Sequence, residues 1–419
     1  MDFEHLYSRE TLAGNDRSIL EQSVAAVVGC GAAGNNIALN FALLGVRELR
    51  CIDYDIIEPS NLTRSPLFKR DCAADAGTRA RHKAREVALG AHAKAYARDP
   101  VSRFAVARIE ELGLGALVGA GVVISAVDSF AVRGYLADAS RLLGIPLVEV
   151  GFSGASGHMS VFPNRSAEEP CFRCLHADIP TGGVSCALYA RKVVEAGMTP
   201  ATQSIASAIG SIAAEAAVRA LHGEFPLAGK MVHFDVRTGA SRAVLISADP
   251  ECRGAHRILS GIKKLEVRAK ESAARILAAA REFAETPVLH LPAPFLVEAP
   301  CSLCGARVIV RKPSWAVREP PACGKCAESS DDAPAPLVTA SVITSTDQLA
   351  NTACRKLGLK HGAVFEIEDL STGHLHACRL EGSAADLFVT LPRTKRNETG
   401  GSPHVHGERK TPDNDTRTS

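Results

Sequence analysis

The sequence predicts a doubly wound, Rossmann-like α/β domain followed by a zinc ribbon and a small α+β unit. Residues 23–31, SVAAVVGCG, form an unbroken apolar run that is typical of a buried parallel strand and that ends in a glycine-rich turn. The next residues read as a helix and a second strand, and this alternation continues downstream. The chain has 419 residues, which is too long for one ordinary domain.

The elements of the α/β domain follow one another in chain order. A polar, helical lead-in precedes the first strand. Apolar runs predict the buried strands, and a run of small residues over 202–223 predicts a long helix that can pack closely. The remaining predicted elements are a helix over 80–95, a strand over 121–127, a helix over 129–144, and strands over 145–154, 230–236 and 241–247.

Composition divides the chain into five regions. The α/β domain is assigned to residues 1–256, and residues 257–290 show helical periodicity with charges on one face, which predicts a connecting helix. Two CxxC pairs predict a zinc-ribbon module over 291–335, and strand, helix and strand signals predict a small α+β domain over 336–392. Residues 393–419 have too few apolar side chains for a core, so we expect a disordered tail.

Charge and cysteine content restrict the class of protein. The chain has 48 Lys plus Arg against 46 Asp plus Glu, so its charge predicts neither nucleic acid nor anionic lipid as a partner. We find no export signal and no apolar run of membrane-spanning length, and we therefore expect a soluble, cytoplasmic protein. Six of the 13 cysteines form three CxxC pairs, which favours metal thiolates in a reducing compartment over disulfides.

The glycine-rich turn predicts a nucleotide site. Gly29, Gly31 and Gly34 allow a tight turn and a close approach of the backbone, so that amide groups at the start of the next helix can meet phosphate oxygens. The second strand closes on the carboxylates of Asp53 and Asp55, and Asp53 stands where an acid can bind ribose hydroxyls. These residues alone favour an oxidoreductase that binds NAD or FAD.

Other charged residues favour nucleotidyl transfer instead. Arg64 follows the second strand and Lys83 lies on the next predicted helix, which places two cations near a phosphate site that a nicotinamide ring does not require. Asp128 ends the strand over 121–127, at the carboxyl edge of the sheet, where a carboxylate can hold Mg²⁺ against a triphosphate.

Several motifs in order resemble the ThiF/MoeB/HesA family, the prokaryotic relatives of ubiquitin-activating enzymes, over roughly residues 5–256. They are YSR, GCGAAG, IDYD, SNLTR, a helix with HKARE, a strand ending in AVDS, PCFRC, and SC followed by a long helix. The resemblance implies that the C-terminal glycine of a ubiquitin-like protein attacks the α-phosphate of ATP. It also implies that the product is an acyl adenylate.

The resemblance further implies roles for individual residues. Arg64 and Lys83 would contact phosphate oxygens, Asp128 would hold Mg²⁺, and Asp53 and Asn61 would position the nucleotide. In the same way, Arg9 resembles the residue that reaches the ATP of the partner protomer across a homodimer. The chain departs from the family pattern around its Arg and Lys, with NLTRSP in place of Asn-Leu-Asn-Arg-Gln and ARHK in place of Gly-Gln-Pro-Lys.

Two sets of cysteines predict Zn²⁺ sites. Cys171 and Cys174 match the first half of the structural zinc site of the family, and in the second half Cys252 is present but Ala255 replaces a thiolate. His256 follows at once and is expected to be the fourth ligand. The spacing CxxC, eighteen residues, CxxC independently predicts a zinc ribbon, either structural or as a docking site, with Cys301, Cys304, Cys323 and Cys326 as ligands.

Cys186 stands apart from the metal pairs, in the loop where thioester-forming relatives carry their acceptor cysteine. The resemblance implies that its thiolate attacks the adenylate and that the acyl group then passes to a conjugating enzyme. The other interpretation is a half-buried structural thiol. Four further functions stay open: activation of a sulfur-carrier protein for thiocarboxylate formation, adenylation of a small or tRNA-borne carboxylate, a non-catalytic scaffold for a ubiquitin-like tail, and NAD-dependent oxidoreduction.

Overall fold

The computed structural model describes residues 3–73, 81–176, 200–254, 256–317, 319–323 and 335–392. The predictions for Cys186, for Cys326 and for the tail over 393–419 lie outside these ranges.

A nine-stranded mixed sheet forms the first part of the molecule and confirms the predicted doubly wound α/β class. Its strand order is β15-β3-β2-β1-β4-β5-β6-β7-β8, with parallel pairing from β3 to β5 and antiparallel pairing beyond. The central strand β1 is almost wholly apolar and is covered on both faces, as its sequence predicts. The strands are β1 Val24–Val28, β2 Glu48–Ile52, β3 Val101–Ala105, β4 Val122–Ser125, β5 Leu147–Ser153, β6 Ser156–Phe162, β7 Lys230–Asp235, β8 Ser241–Leu245 and β15 Val389–Thr390.

Helices cover both faces of this sheet. The helices α4, α5 and α9 bury apolar residues such as Phe41, Val87 and Ile209 on one face, and α7 buries Leu136 on the other. Small residues let α9 approach α4 closely, since a Cβ on Gly210 would lie 2.8 Å from Cβ of Asn36. The helices are α1 Phe3–Leu6, α2 Ser8–Leu12, α3 Arg17–Leu20, α4 Ala32–Leu44, α5 Lys83–Lys94, α6 Ile109–Leu112, α7 Phe130–Leu142, α8 Phe172–Leu175, α9 Gln203–Leu221 and α10 Ala273–Ala280.

The long helix α9 has 19 residues and is apolar enough to cross a membrane by length and composition. Its most buried residues face α4 and the sheet, and half of its apolar window is buried. Packing in a protein core therefore accounts for its composition.

A second, six-stranded sheet contains the strands between Lys263 and Arg379. Its order is β11-β10-β13-β14-β9, and β12 also pairs with β10. Because β10 pairs with β11 and β13, residues on both sides of the predicted boundary at 335/336 share one sheet. The strands are β9 Lys263–Lys264, β10 Pro287–Pro300, β11 Arg307–Pro313, β12 Val338–Ile343, β13 Val364–Asp369 and β14 His374–Arg379.

The predicted connecting helix over 257–290 is wrong for most of its length. Only α10 is α-helical, and the preceding residues run beside β14, where Leu265 donates its backbone N–H to the carbonyl oxygen of Arg379. Leu265, Val267 and Ala269 are all buried, so this segment follows a period of two. Residues 336–392 contain strands and short 3₁₀ turns, and no α-helix lies among those that the structure describes.

Candidate functional site

The carboxyl ends of β1, β2 and β4 open into a cavity of about 440 Å³. Side chains from the predicted nucleotide site meet there although they come from well-separated segments of the chain. The residues that line it include Gly29, Gly31, Asp53, Asp55, Arg64, Lys83 and Asp128.

The three glycines of the turn have different structural roles. Gly29 has φ of +89°, and a Cβ there would lie 2.4 Å from the carbonyl oxygen of Ala126. A Cβ on Gly34 would lie 1.9 Å from the carbonyl oxygen of Gly29, so Gly34 lets α4 pack against the turn. Gly31 is the N-cap residue of α4, and its Cβ position has no neighbour within 4 Å. Gly31 therefore leaves backbone open to a ligand, whereas Gly34 shapes the turn.

Asp53 fixes the turn to the second strand. Its Oδ2 accepts the backbone N–H of Cys30 at 2.7 Å, and its Oδ1 accepts that of Asp55 at 2.8 Å. Burial raises the pKa of Asp53, although these two amides lower it. The predicted contact with ribose hydroxyls would use the remaining lone pairs of the same carboxylate.

Lys83 places a positive charge at the cavity wall, where an ion pair with Asp55 fixes it. It is the first residue of α5, and its Nζ lies 3.0 Å from Oδ2 of Asp55. Burial lowers the pKa of Lys83, but the carboxylates of Asp53 and Asp55 raise it by more. The ammonium group therefore stays charged and is aimed into the site.

Arg64 and Asn61 share a 3₁₀ turn over Pro59–Arg64. Arg64 lines the cavity and donates to the carbonyl oxygen of Ser60. Asn61 instead accepts the backbone N–H of Glu58 at 3.1 Å and closes the start of the turn, so it supports Arg64 from outside the cavity wall.

Asp128 is exposed beyond the end of β4, just before α7, and borders the cavity. Arg108 and Tyr54 also line the cavity, and the guanidinium of Arg108 lies 4.2 Å from the centre of the Tyr54 ring. This flat pair stands beside Asp53 and offers a stacking surface for a nucleobase.

Arg9 lies exposed on α2 and does not line the cavity of its own chain. Its predicted contact with a partner protomer, and the homodimer itself, remain predictions.

Three residues beside the cavity were not predicted from the sequence: Arg133 on α7, Glu149 on β5 and His158 on β6. Arg133 donates to Oε1 of Glu149 at 2.5 Å and to the carbonyl oxygen of Val127 at 2.9 Å. An acid inside the apolar run IPLVEVG was the signal that could have identified this group, because a buried charge needs a partner.

The first predicted zinc site is assembled from α8 and the segment after β8. The Sγ atom of Cys171 lies 3.7 Å from that of Cys174 and 3.6 Å from that of Cys252, and Nε2 of His256 lies 3.3 Å from Sγ of Cys174. Tetrahedral zinc with bonds of about 2.3 Å separates its sulfur ligands by about 3.7 Å. The Nδ1 atom of His256 faces the carbonyl oxygen of Ala167 at 2.9 Å, which would direct Nε2 to a metal.

The cysteines of the predicted zinc ribbon also lie close enough together to bind one metal ion. The donor atoms of Cys301, Cys304 and Cys323 lie within 4.8 Å of one another. The backbone amides of Cys304, Leu303 and Cys323 lower the pKa of Cys301 to about 6, which favours the thiolate that zinc requires. Both described sets therefore fit Zn²⁺.

Comparison with known proteins finds similar chains among adenylating enzymes. Over 242 residues the chain is 30% identical to the sulfur carrier protein adenylyltransferase of Thermus thermophilus, covering 56% of this chain and 82% of that protein. It is 30% identical over 244 residues to the molybdopterin-synthase adenylyltransferase of Escherichia coli, covering 56% and 87%. It is 27% identical over 234 residues to the SAMP-activating enzyme E1 of Haloferax volcanii, covering 56% and 80%.

The fold resembles that of E. coli MccB, whose crystal structure with MccA-N7isoASN matches with a TM-score of 0.51 and 18% identity over 61% of this chain and 76% of that one. The model of the ThiF family matches residues 7–254, which hold the glycine turn, the cavity and the first cysteine pair. The chain therefore belongs to the ThiF family.

Proposed function

We propose that this chain uses ATP and Mg²⁺ to adenylate the C-terminal carboxylate of a ubiquitin-like sulfur-carrier protein. The observation that carries the proposal is the convergence of Arg64, Lys83 and Asp128 on a glycine-turn cavity. Two cations and one exposed carboxylate match a triphosphate with its metal better than they match a nicotinamide dinucleotide.

The reaction needs positioning and charge neutralisation more than covalent catalysis. A carboxylate oxygen of the carrier attacks the α-phosphorus, the bond to the β-phosphate oxygen breaks, and pyrophosphate leaves. Lys83 and Arg64 would neutralise the charge on the phosphate oxygens. Asp128 would hold Mg²⁺, which when bound screens the triphosphate.

The names of the relatives favour the sulfur-carrier branch of this chemistry. Two similar proteins are adenylyltransferases, one of a sulfur carrier protein and one of molybdopterin synthase. Thioester formation on Cys186 and transfer to a conjugating enzyme remain predictions. The two zinc sites are proposed to be structural, since neither borders the nucleotide cavity.

ATP–pyrophosphate exchange tests the proposal. With a carrier protein that ends in Gly-Gly, we expect exchange that falls by about 10²–10³ in Lys83→Ala and in Asp128→Asn. Lys83 would neutralise charge on the phosphate oxygens, and Asp128 would hold the Mg²⁺ that does the same. Lys94→Ala is the matched control, since Lys94 is an exposed lysine at the far end of α5. Carrier binding without any exchange would identify a scaffold, and exchange with a small acid alone would move the substrate to another class.

A further inference from the structure

Glu149 is a buried carboxylate that the adenylation chemistry does not use. Its side chain is 1% exposed, and its Oε1 accepts from Arg133. Its Oε2 has no hydrogen-bond partner among the described residues and lies 3.6 Å from Nε2 of His158. Arg133 thus compensates the charge through one oxygen, and the other oxygen is directed at an imidazole.

The backbone is shaped to hold this imidazole. Gly151 on β5 stands opposite His158 on β6 in the strand register. A Cβ on Gly151 would lie 2.5 Å from Cε1 of His158 and 2.8 Å from Nη1 of Arg133, so only glycine admits both side chains. The ring turns its Nε2 edge toward Glu149, which leaves Nδ1 as the second ring nitrogen.

The other side of His158 borders a second cavity of about 230 Å³. This cavity shares Asp128, Arg133 and Phe152 with the nucleotide cavity, so the two adjoin. The charged and titratable groups around His158 are Glu149 from β5, Arg133 from α7, Asp128 beyond β4, His233 from β7 and His176 at the end of α8. The ring centres of His158 and His233 lie 5.9 Å apart. His158 therefore borders the same cavity as Asp128, the residue proposed to hold Mg²⁺ at the triphosphate.

We propose that His158, oriented by Glu149, is the proton acceptor for a thiol that attacks the acyl adenylate. This inference rests on the proposed function. The thiol sulfur bonds to the carbonyl carbon of the terminal glycine, its proton passes to Nδ1 of His158, and the bond between that carbon and the phosphate oxygen breaks to release AMP. The product is a thioester, and no oxidation or reduction takes place. Glu149 stabilises the imidazolium that forms, as a carboxylate does in hydrolase triads.

Thiols of different acidity provide the sharpest test, because a thiolate needs no base. The carrier adenylate is formed with ATP, and AMP release is followed with 2-mercaptoethanol, which is protonated near neutral pH, or with 2-nitro-5-thiobenzoate, which is already ionised. In His158→Gln we expect release by 2-mercaptoethanol to fall by about 100-fold and release by the thiobenzoate to stay within about twofold. Free imidazole should restore part of the loss in His158→Ala.

Pyrophosphate exchange tests adenylation separately from the proposed role of His158. Exchange should stay within about twofold in His158→Gln, and His374→Gln on β14 serves as the matched control in the other sheet. An equal loss with both thiols, or a parallel loss of exchange, would overturn the role of proton acceptor and assign His158 to binding the carrier tail. Absence of exchange in the unchanged chain would instead refute the proposed function itself.

Discussion

At the residue scale, the site combines groups with local sequence signals and groups without them. Gly29, Asp53 and Lys83 could be predicted because each stands at a fixed place in a strand, turn or helix start. Glu149 and His158 meet only through the antiparallel pairing of β5 with β6. Strand β6 was not predicted from the sequence, so the contact between Glu149 and His158 could not be predicted either.

Two substitutions to alanine should separate the structural and the ligand-binding roles within the glycine turn. Gly34→Ala places a Cβ 1.9 Å from a backbone oxygen, so we expect a loss of about 1–3 kcal/mol in the free energy of unfolding. Gly31→Ala meets no atom within 4 Å and has an ordinary φ of −74°, so stability should hold while ATP affinity falls. Urea unfolding and calorimetric titration with ATP measure the two effects, and equal destabilisation by both would contradict this division.

His256 should be a zinc ligand, because its Nε2 lies 3.3 Å from Sγ of Cys174. His256→Ala is expected to lose one equivalent of zinc per chain and to unfold at a lower temperature, since the binding energy of a structural metal is folding energy. His256→Cys keeps a ligand of the right chemistry and should retain the metal. Metal analysis after gel filtration measures the zinc content per chain. Full zinc content in the alanine variant would show that His256 is not a ligand.

At the element scale, the period of the apolar pattern explains both the success and the failure of prediction. The strands β1 and β4 are continuous apolar runs in the centre of a parallel sheet, and they were found. The segment before α10 alternates over Leu265, Val267 and Ala269, and its charged residues made this period of two resemble one face of a helix. The edge strand β15 has only two residues, and β3 carries a serine and an arginine among its five, so both give a weaker apolar signal.

The hairpin of β13 and β14 should depend on pH through Asp369. The backbone amide of Thr286 lowers the pKa of Asp369 to about 2; burial opposes this shift, and Ser371 adds to it. Because the folded pKa is depressed, the ionised form stabilises the hairpin, fully above about pH 4, and this stabilisation is lost as the pH falls through about 2.

Asp369→Asn should therefore lower the free energy of unfolding at pH 7, and the difference from the unchanged chain should shrink between about pH 4 and 2. Thermal unfolding across this range measures it, with the exposed Glu282→Gln as the control. A difference that does not change with pH would assign the effect of Asp369 to shape alone.

At the scale of the whole molecule, the two sheets are joined by the end of the described chain. After β14 the chain leaves the second sheet, and β15 pairs antiparallel with β3 at the edge of the first, with Val389 opposite Phe104. Arg257, in the segment between β8 and β9, also forms a two-point ion pair with Glu366 on β13 of the second sheet. The first sheet is therefore completed by residues far beyond residue 254, where the family match ends.

Removing residues 384–419 should consequently weaken the nucleotide domain itself. Phe388 is 9% exposed in the core that α7 also covers, and β3 would lose its outer neighbour. Burial of one large apolar side chain contributes about 1.5–3 kcal/mol, and an open edge strand promotes association. We expect a clear loss in the free energy of unfolding, weaker ATP binding and concentration-dependent aggregation in light scattering. Deleting only residues 393–419 removes the tail that is predicted to be disordered and should change none of these. If the chain without residues 384–419 were as stable as the chain that lacks only the tail, β15 would not support the first sheet.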